Sequence, residues 1–245
     1  MKTKIIVLTV ADRPHYLSDV IESFRLTNHI KDYKLIASVE PINSKSNTCL
    51  EMLKKIDFME VDAYMNAPYD PILKMVRNTH NVMTKGLEQT DFLIYTEDDC
   101  TWAPDLLEYL EWGKNEFKDD KKIFSINGFS HNQYDPSKTK QVYRRNHFHA
   151  MTFGVWKDTW QPVLDGWNWQ VEPGWDIDVD RRFPKGRLTV YPHLSRVEHI
   201  GLFGTHVCDR NWHDNHIYNP NWGSNTAISD EQWYEGIEDD SRMDP

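Results

Sequence analysis

An apolar run from Phe92 to Tyr95 ends on successive carboxylates, Glu97, Asp98 and Asp99. This stretch constrains the fold more than any other. Four apolar residues in a row read as a strand buried on both faces, which is how strands of a parallel sheet read. Pro104 follows where a helix can begin, and Leu106, Leu107, Leu110 and Trp112 then recur at helical spacing. The acids therefore sit at the carboxyl end of a strand in an α/β layered fold, the edge where open α/β sheets bind ligands. Adjacent carboxylates repel one another unless a cation or a donor lies between them. Two readings stand side by side: a solvated acidic turn before a helix, and a site for a divalent metal that also holds a diphosphate.

The chain upstream repeats the same alternation. Residues 4–10, Lys-Ile-Ile-Val-Leu-Thr-Val, read as a central parallel strand. Leu17, Val20, Ile21 and Phe24 mark a helix over 16–27, and residues 34–39 a second strand ended by Glu40-Pro41. A helix over 47–56, a short strand over 59–65 and a helix over 71–87 lead into the acidic strand. Strand, helix, strand in this order implies right-handed crossovers and a parallel sheet. No glycine-rich phosphate loop follows the first strand, where Thr9-Val10-Ala11-Asp12-Arg13-Pro14 stands. A nucleotide bound here has to be held by side chains and a metal.

The pattern changes after about residue 120. Strands are expected over 122–127 and 188–191, a polar loop over 128–140, an extended or mixed segment over 149–156 and a short helix over 157–164. Residues from 195 onward lead into an irregular tail rich in His, Trp and Asn. The organisation expected is a nucleotide-binding half over 1–120, a second half of the same domain over 121–228, and an acidic tail over 229–245, which reads as mobile.

Composition narrows the function classes. The net charge of −10 over 245 residues disfavours broad contact with a phosphate backbone. A local basic rim from Lys138, Lys140, Arg144 and Arg145 would restore that possibility. Cys49, Cys100 and Cys208 have no metal-ligand spacing and suit a reducing compartment. No apolar segment reaches the length of a membrane span, and residues 1–4 run straight into a strand rather than a signal peptide. The expected location is cytoplasmic, in a bacterium or a virus-infected host cell, with no membrane partner. Of ten tryptophans, eight lie after residue 150. Trp167, Trp169 and Trp175 belong to an aromatic loop suited to sugar rings.

Other polar residues converge by topology. Asp12 and Arg13 end the first strand, and an arginine there can hold a base or phosphate through its planar fork. Glu40 ends the second strand on the same edge. Arg77 and Asn78 lie on the helix before the acidic strand. Asp176 and Asp178 follow the tryptophans, and a carboxylate beside Trp175 suits a general base. His199, before Gly201, can close the coordination sphere of a metal held by Asp99. For each, an ordinary surface or structural role is the competing reading.

Taken together, Glu97-Asp98-Asp99, then Ala103-Pro104-Asp105 and Leu107-Glu108-Tyr109, carry the densest match to a known pattern. Ala11-Asp12-Arg13, Ser125-Ile126-Asn127-Gly128, Trp175-Asp176 and Pro192 to Arg196 extend it in the same order. On these motifs the chain resembles the GT-A glycosyltransferases, most nearly the N-acetylglucosaminyltransferase I family. The resemblance implies a mixed, Rossmann-like sheet flanked by helices in one domain, with an irregular C-terminal acceptor-side region. It implies Asp99 as ligand of Mn2+ (or Mg2+), and Asp98 on the nucleotide ribose. Asp12, Arg13, Glu40 and Asn78 take nucleotide-binding positions. Asp176 is the base for an inverting transfer, and His199 matches the late metal-binding histidine of other GT-A families. The expected activity moves a sugar from a nucleotide sugar, UDP-linked as the first choice, to an acceptor hydroxyl. The acceptor is a glycan, a small molecule or a hydroxylated nucleobase. The alternatives are a sugar-binding protein with an inactive transferase fold and a nucleotidyltransferase.

Overall fold

The computed structural model describes residues 3–68, 74–131, 135–170, 174–202 and 234–235. Its centre is β1 (Lys4–Val10), whose last six residues are all buried. β1 pairs in parallel with β2 (Tyr33–Val39) on one side and with β4 (Phe92–Glu97) on the other, and β3 (Glu60–Met65) pairs in parallel with β2. The unbroken apolar runs read from sequence reflect strands covered on both faces.

The rest of the sheet is mixed. β8 (Phe153–Trp156) runs antiparallel to both β4 and β6 (Ile123–Asn127). β9 (Leu188–Pro192) returns parallel to β6, and β7 (Gln141–Arg145) lies antiparallel to β9. Tyr234–Glu235, β11, completes a nine-stranded sheet in the order β11-β7-β9-β6-β8-β4-β1-β2-β3. A separate antiparallel ribbon joins β5 (Cys100–Trp102) to β10 (Val197–His199).

Helices cover both faces. α1 (Pro14–Leu26) starts on Pro14, whose fixed φ suits the first helical position, and buries Tyr16, Leu17, Val20 and Phe24. α2 (Ser44–Lys54) is capped reciprocally by Asn43 and Ser46. With α4 (Leu106–Phe117) these helices enclose one core through Leu53, Leu106, Leu107 and Leu110. On the other face α3 (Lys74–Leu87), α5 (Lys157–Asp165) and α6 (Trp175–Arg182) enclose a second core with Val82, Met83, Trp160, Val163, Trp175 and Val179. α3 lies so close to the sheet that a Cβ on Gly86 would stand 2.5 Å from Leu93 and 2.7 Å from Val7 side-chain atoms.

The helix expected after Pro104 is α4, with the three-residue strand β5 before it. One expectation changes. Val197–His199, read as leading into an irregular tail, is a strand, since the β5 edge supplies its hydrogen-bond partners. Strand β7 was not anticipated: Gln-Val-Tyr-Arg-Arg has little apolar signal and finds its partners in β9. Residues 71–73 of the expected third helix, Cys208, His206, His213, His216 and all of the acidic tail except Tyr234 and Glu235 lie outside the described residues. Among the described residues no helix is long and apolar enough to cross a membrane.

Candidate active site

The parallel register aligns the carboxyl ends of three strands: Thr9 stands opposite Glu97, and Val10 opposite Val39. Asp98 and Asp99 form the turn between β4 and β5 and are 2% and 3% exposed. Two buried carboxylates side by side need compensation. It comes from the end of β1. The Ala11 N–H donates to Asp98 Oδ2 at 2.9 Å, Arg13 Nη2 bonds Asp98 Oδ1, and Arg13 Nη1 lies 2.6 Å from Asp99 Oδ2. The donor demanded by the acidic triplet is thus the arginine of the Asp-Arg pair.

The three acids have different environments. Burial pushes Asp98 up to about 6, against the Arg13 charge and with the help of Asp99. Glu97 rises to about 7 through burial and then the Asp99 charge, while Tyr95 Oη donates to it at 2.8 Å. Asp99 moves the other way. Burial would raise it, but His199 and Arg13 together hold it well below the usual carboxylate range.

The β5–β10 ribbon explains why His199 reaches Asp99. His199 pairs with Cys100 in register, the Ile200 N–H donates to the Asp99 carbonyl at 2.8 Å, and His199 Nε2 lies 3.5 Å from Asp99 Oδ2. Burial would depress the imidazole, but the Asp99 and Glu97 charges raise it. Gly201 packs against this pair, and a Cβ there would run into Asp99 Oδ2 and the His199 ring. Carboxylate oxygens of Glu97 and Asp99 and the Cys100 sulfur lie within 4.8 Å of one another, a grouping that can hold a metal ion. Cysteine spacing offers no sign of Cys100 at this position. Its thiol is held protonated by burial and by the neighbouring Asp99 and Glu97, so the carboxylates are the better ligands.

The remaining sequence-derived residues are placed as follows. Glu40 is buried at the same edge, and its N–H donates to the Val10 carbonyl. Asn78 is buried on α3. Its amide donates to the Ser38 carbonyl at 3.1 Å and accepts from Asn66 at 2.8 Å. Asn66, absent from the sequence reading, also donates to Ser38 Oγ. Arg77 is exposed. Asp12 accepts from Asn43, the residue that caps α2.

Across the edge, α6 presents Asp176 in its first turn, and the Asp176 charge is among those raising Glu97. Asp178 is engaged elsewhere: it accepts two contacts from Arg182 Nε at 2.8 and 2.9 Å and one from Asn168 at 3.2 Å. Trp175 and Trp167 stack at 5.9 Å as buried members of the second core, and Trp175 also meets the Tyr95 ring edge-on. Trp169 is 46% exposed, with its ring 4.7 Å from His80. The four basic residues considered as a rim do not form one. Lys140 is buried against Asp105 at 3.3 Å, Arg144 pairs with Asp120 at 3.1 Å, and Arg145 lies over the Tyr143 and Tyr191 rings. Lys138 lies 3.8 Å from Asp135.

The sequence matches the GNT-I family over residues 3–218, most of the chain. This chain belongs to the GNT-I family. A comparison with curated protein sequences finds no match. Among solved structures, a mannosyltransferase from Pyrobaculum calidifontis, PcManGT, in complex with GDP-Man and Mn2+, superimposes with a TM-score of 0.54 at 10% identity, covering 78% of this chain and 55% of that one. TarS of S. aureus, residues 1–349, gives 0.53 at 9% identity, covering 80% and 60%. This GNT-I family chain therefore spans less than two thirds of either neighbour, and at such identities the likeness shows the shared GT-A fold. The suspected membership and the mixed α/β architecture flanked by helices are both as expected from sequence.

Proposed function

We propose that this GNT-I family member is a glycosyltransferase that moves a sugar from a nucleoside-diphosphate sugar to an acceptor hydroxyl with inversion. The observation that carries the reading is the convergence of Arg13, Asp98, Asp99 and His199 at one sheet edge, with Asp176 close enough to bias Glu97. Asp98, Arg13, Asp12, Glu40 and Asn78 line the side where the nucleotide binds. UDP is the first choice of nucleotide; GDP, as in the mannosyltransferase complex, is the second.

Asp99 and His199, with Glu97 beside them, would hold the cation. Carboxylate oxygens of Glu97 and Asp99, with the His199 imidazole 3.5 Å from Asp99, fit Mn2+ or Mg2+, and the close packing of Gly201 leaves the Asp99–His199 pair little freedom to separate. When bound, such an ion supplies positive charge to a departing diphosphate. Asp176 takes the proton of the acceptor hydroxyl as its oxygen bonds to the anomeric carbon. The bond from that carbon to the phosphate oxygen breaks, and the nucleoside diphosphate leaves. Trp169 offers an exposed ring for the acceptor or the donor sugar. A glycan or small-molecule acceptor is favoured over a hydroxylated nucleobase, because Lys140 and Arg144 are spent on internal pairs.

The test is product analysis on UDP- and GDP-sugars with Mn2+. Release of the nucleoside diphosphate with sugar transfer or hydrolysis supports the reading. Release of pyrophosphate would mark a nucleotidyltransferase, and tight sugar binding without turnover would mark an inactive, sugar-binding protein.

A further inference from the structure

Two sequence motifs outside the proposed chemistry, Ala103-Pro104-Asp105 and the segment from Pro192 to Arg196, meet at a buried cluster of charges. Arg196 is fully buried, and Asp105 and Lys140 nearly so. Arg196 Nε lies 2.9 Å from Asp105 Oδ1, and Lys140 Nζ lies 3.3 Å from Asp105 Oδ2. The rest of the Arg196 fork is directed at main chain. Nη1 donates to the Leu194 carbonyl at 3.0 Å, and Nη2 to the Thr139 carbonyl at 2.8 Å. Asp105 stands at the N-cap of α4, where an aspartate side chain commonly accepts from the first helical N–H groups, yet it makes no such bond. Its carboxylate is turned to the two cations instead.

Such a cluster is a poor source of stability. Taking charges out of water offsets most of their mutual attraction, and apolar residues of similar volume commonly serve as well. What a buried ion pair can add is specificity, because it is satisfied in one arrangement of the chain and not in its neighbours. The arrangement satisfied here is that of the β5–β10 ribbon. Arg196 immediately precedes β10, and Asp105 lies just beyond β5. The Arg196 backbone is fixed at the same place: the Ala103 N–H donates to its carbonyl at 2.9 Å, and its own N–H donates to the Gly128 carbonyl at 2.8 Å.

The ribbon consists of three residue pairs, Val197 with Trp102, Glu198 with Thr101 and His199 with Cys100. So short a ladder specifies its own register weakly. A slip of one residue turns every side chain to the opposite face, and His199 would then leave Asp99. At the site end the ribbon is closed by the Ile200 N–H on the Asp99 carbonyl, and at the other end by Arg196 with Ala103 and Asp105. We infer that Arg196 is a positioning residue for the candidate cation site: paired with Asp105, it fixes the register of β10 on β5 and so sets His199 against Asp99. The inference rests on the reading of Asp99 and His199 as cation ligands.

The experiment titrates Mn2+ into the full chain with UDP present, reads the free ion by electron paramagnetic resonance, and follows urea unfolding of the same proteins. Arg196→Lys keeps the charge and loses the planar fork, and Asp105→Asn keeps the shape and loses the charge. Val163→Ala, in the second core, lowers stability away from the ribbon. The expected result is Mn2+ affinity about tenfold weaker in Arg196→Lys and Asp105→Asn, and within about twofold of wild type in Val163→Ala. Thr101→Cys with Glu198→Cys places a disulfide across the central pair, on the face opposite His199. Added to Asp105→Asn, that cross-link holds the register covalently and is expected to return Mn2+ affinity to within about threefold of the cross-linked chain that retains Asp105. Folded Arg196→Lys and Asp105→Asn proteins that bind Mn2+ as wild type does overturn this inference alone. So does a cross-linked Asp105→Asn protein whose affinity stays low, or a loss in Val163→Ala as large as theirs. If neither charge variant folds, with or without the cross-link, the cluster holds the fold rather than the register and the inference falls. Failure of wild type to bind Mn2+ with UDP overturns the cation reading, and this inference with it.

Discussion

Asp176 and Asp178 differ at the scale of single residues by what already holds them. Asp178 spends its oxygens on Arg182 and Asn168, whereas Asp176 sits in the electrostatic reach of Glu97. Asp176→Asn is expected to lower kcat by about 10²–10⁴ with nucleotide affinity kept, because only the proton acceptor is lost. Asp178→Asn is expected to leave kcat within about threefold, as it loosens a partly exposed ion pair worth about 1 kcal/mol at most. Steady-state kinetics with calorimetry separates the two. Arg13 acts on a different quantity. Its guanidinium faces both Asp98 and Asp99, so Arg13→Met leaves buried Asp98 without its counter-charge and Asp99 with His199 as its remaining described cation. A loss of about 3–5 kcal/mol in urea unfolding is expected, together with loss of nucleotide binding. Sequence made the acids and the arginine legible as site residues, but not their mutual pairing. Which donor faces which carboxylate depends on strand register, and register is a property of the sheet.

Elements fix the site through contacts that no local pattern announces. The β5–β10 ribbon is three residues long on each side, too short for period or propensity to mark it, yet it carries His199 to Asp99. By contrast, the long apolar strands and α1, α2 and α4 were legible, because burial on one or both faces leaves a period that sequence preserves. Gly201 belongs with the ribbon. Gly201→Ala is expected to force the Asp99 and His199 side chains apart, weakening Mn2+-dependent nucleotide binding by about tenfold or more while costing about 1–3 kcal/mol of stability. Binding titrations with and without the metal check it. α6 is tied to the 146–151 segment through Asp180. Burial would raise that carboxyl, but the His147 contact and the Phe148 N–H outweigh it and lower its pKa. A carboxyl whose folded pKa is depressed adds stability above its unfolded value of about 4, and that stability is lost as pH falls through the folded value. Urea unfolding between pH 7 and pH 3 is expected to show a steeper decline for wild type than for Asp180→Asn.

For the whole molecule, one sheet runs through strands from before and after residue 120, with a core on each face. Sequence foresaw the mixed architecture but not the placement of β7 and β8, since the order of strands beyond β4 is set by non-local pairing. A ligand that binds only the folded state raises the melting temperature. UDP- or GDP-sugar at about a hundredfold over Kd with Mn2+ is expected to add about 2.7 kcal/mol, or roughly 5–10 °C, and EDTA is expected to abolish most of that gain in a thermal-shift assay. The ribbon has a further consequence, for synthesis on the ribosome. Asp99 and His199 are a hundred positions apart along the chain. A nascent polypeptide can complete the β1–β4 layer early, yet its candidate cation cage stays open until β10 emerges and zips onto β5. Partly made molecules would therefore lack the Asp99–His199 contact, and a chain broken between the two strands would lose that contact while the β1–β4 layer kept its own pairings.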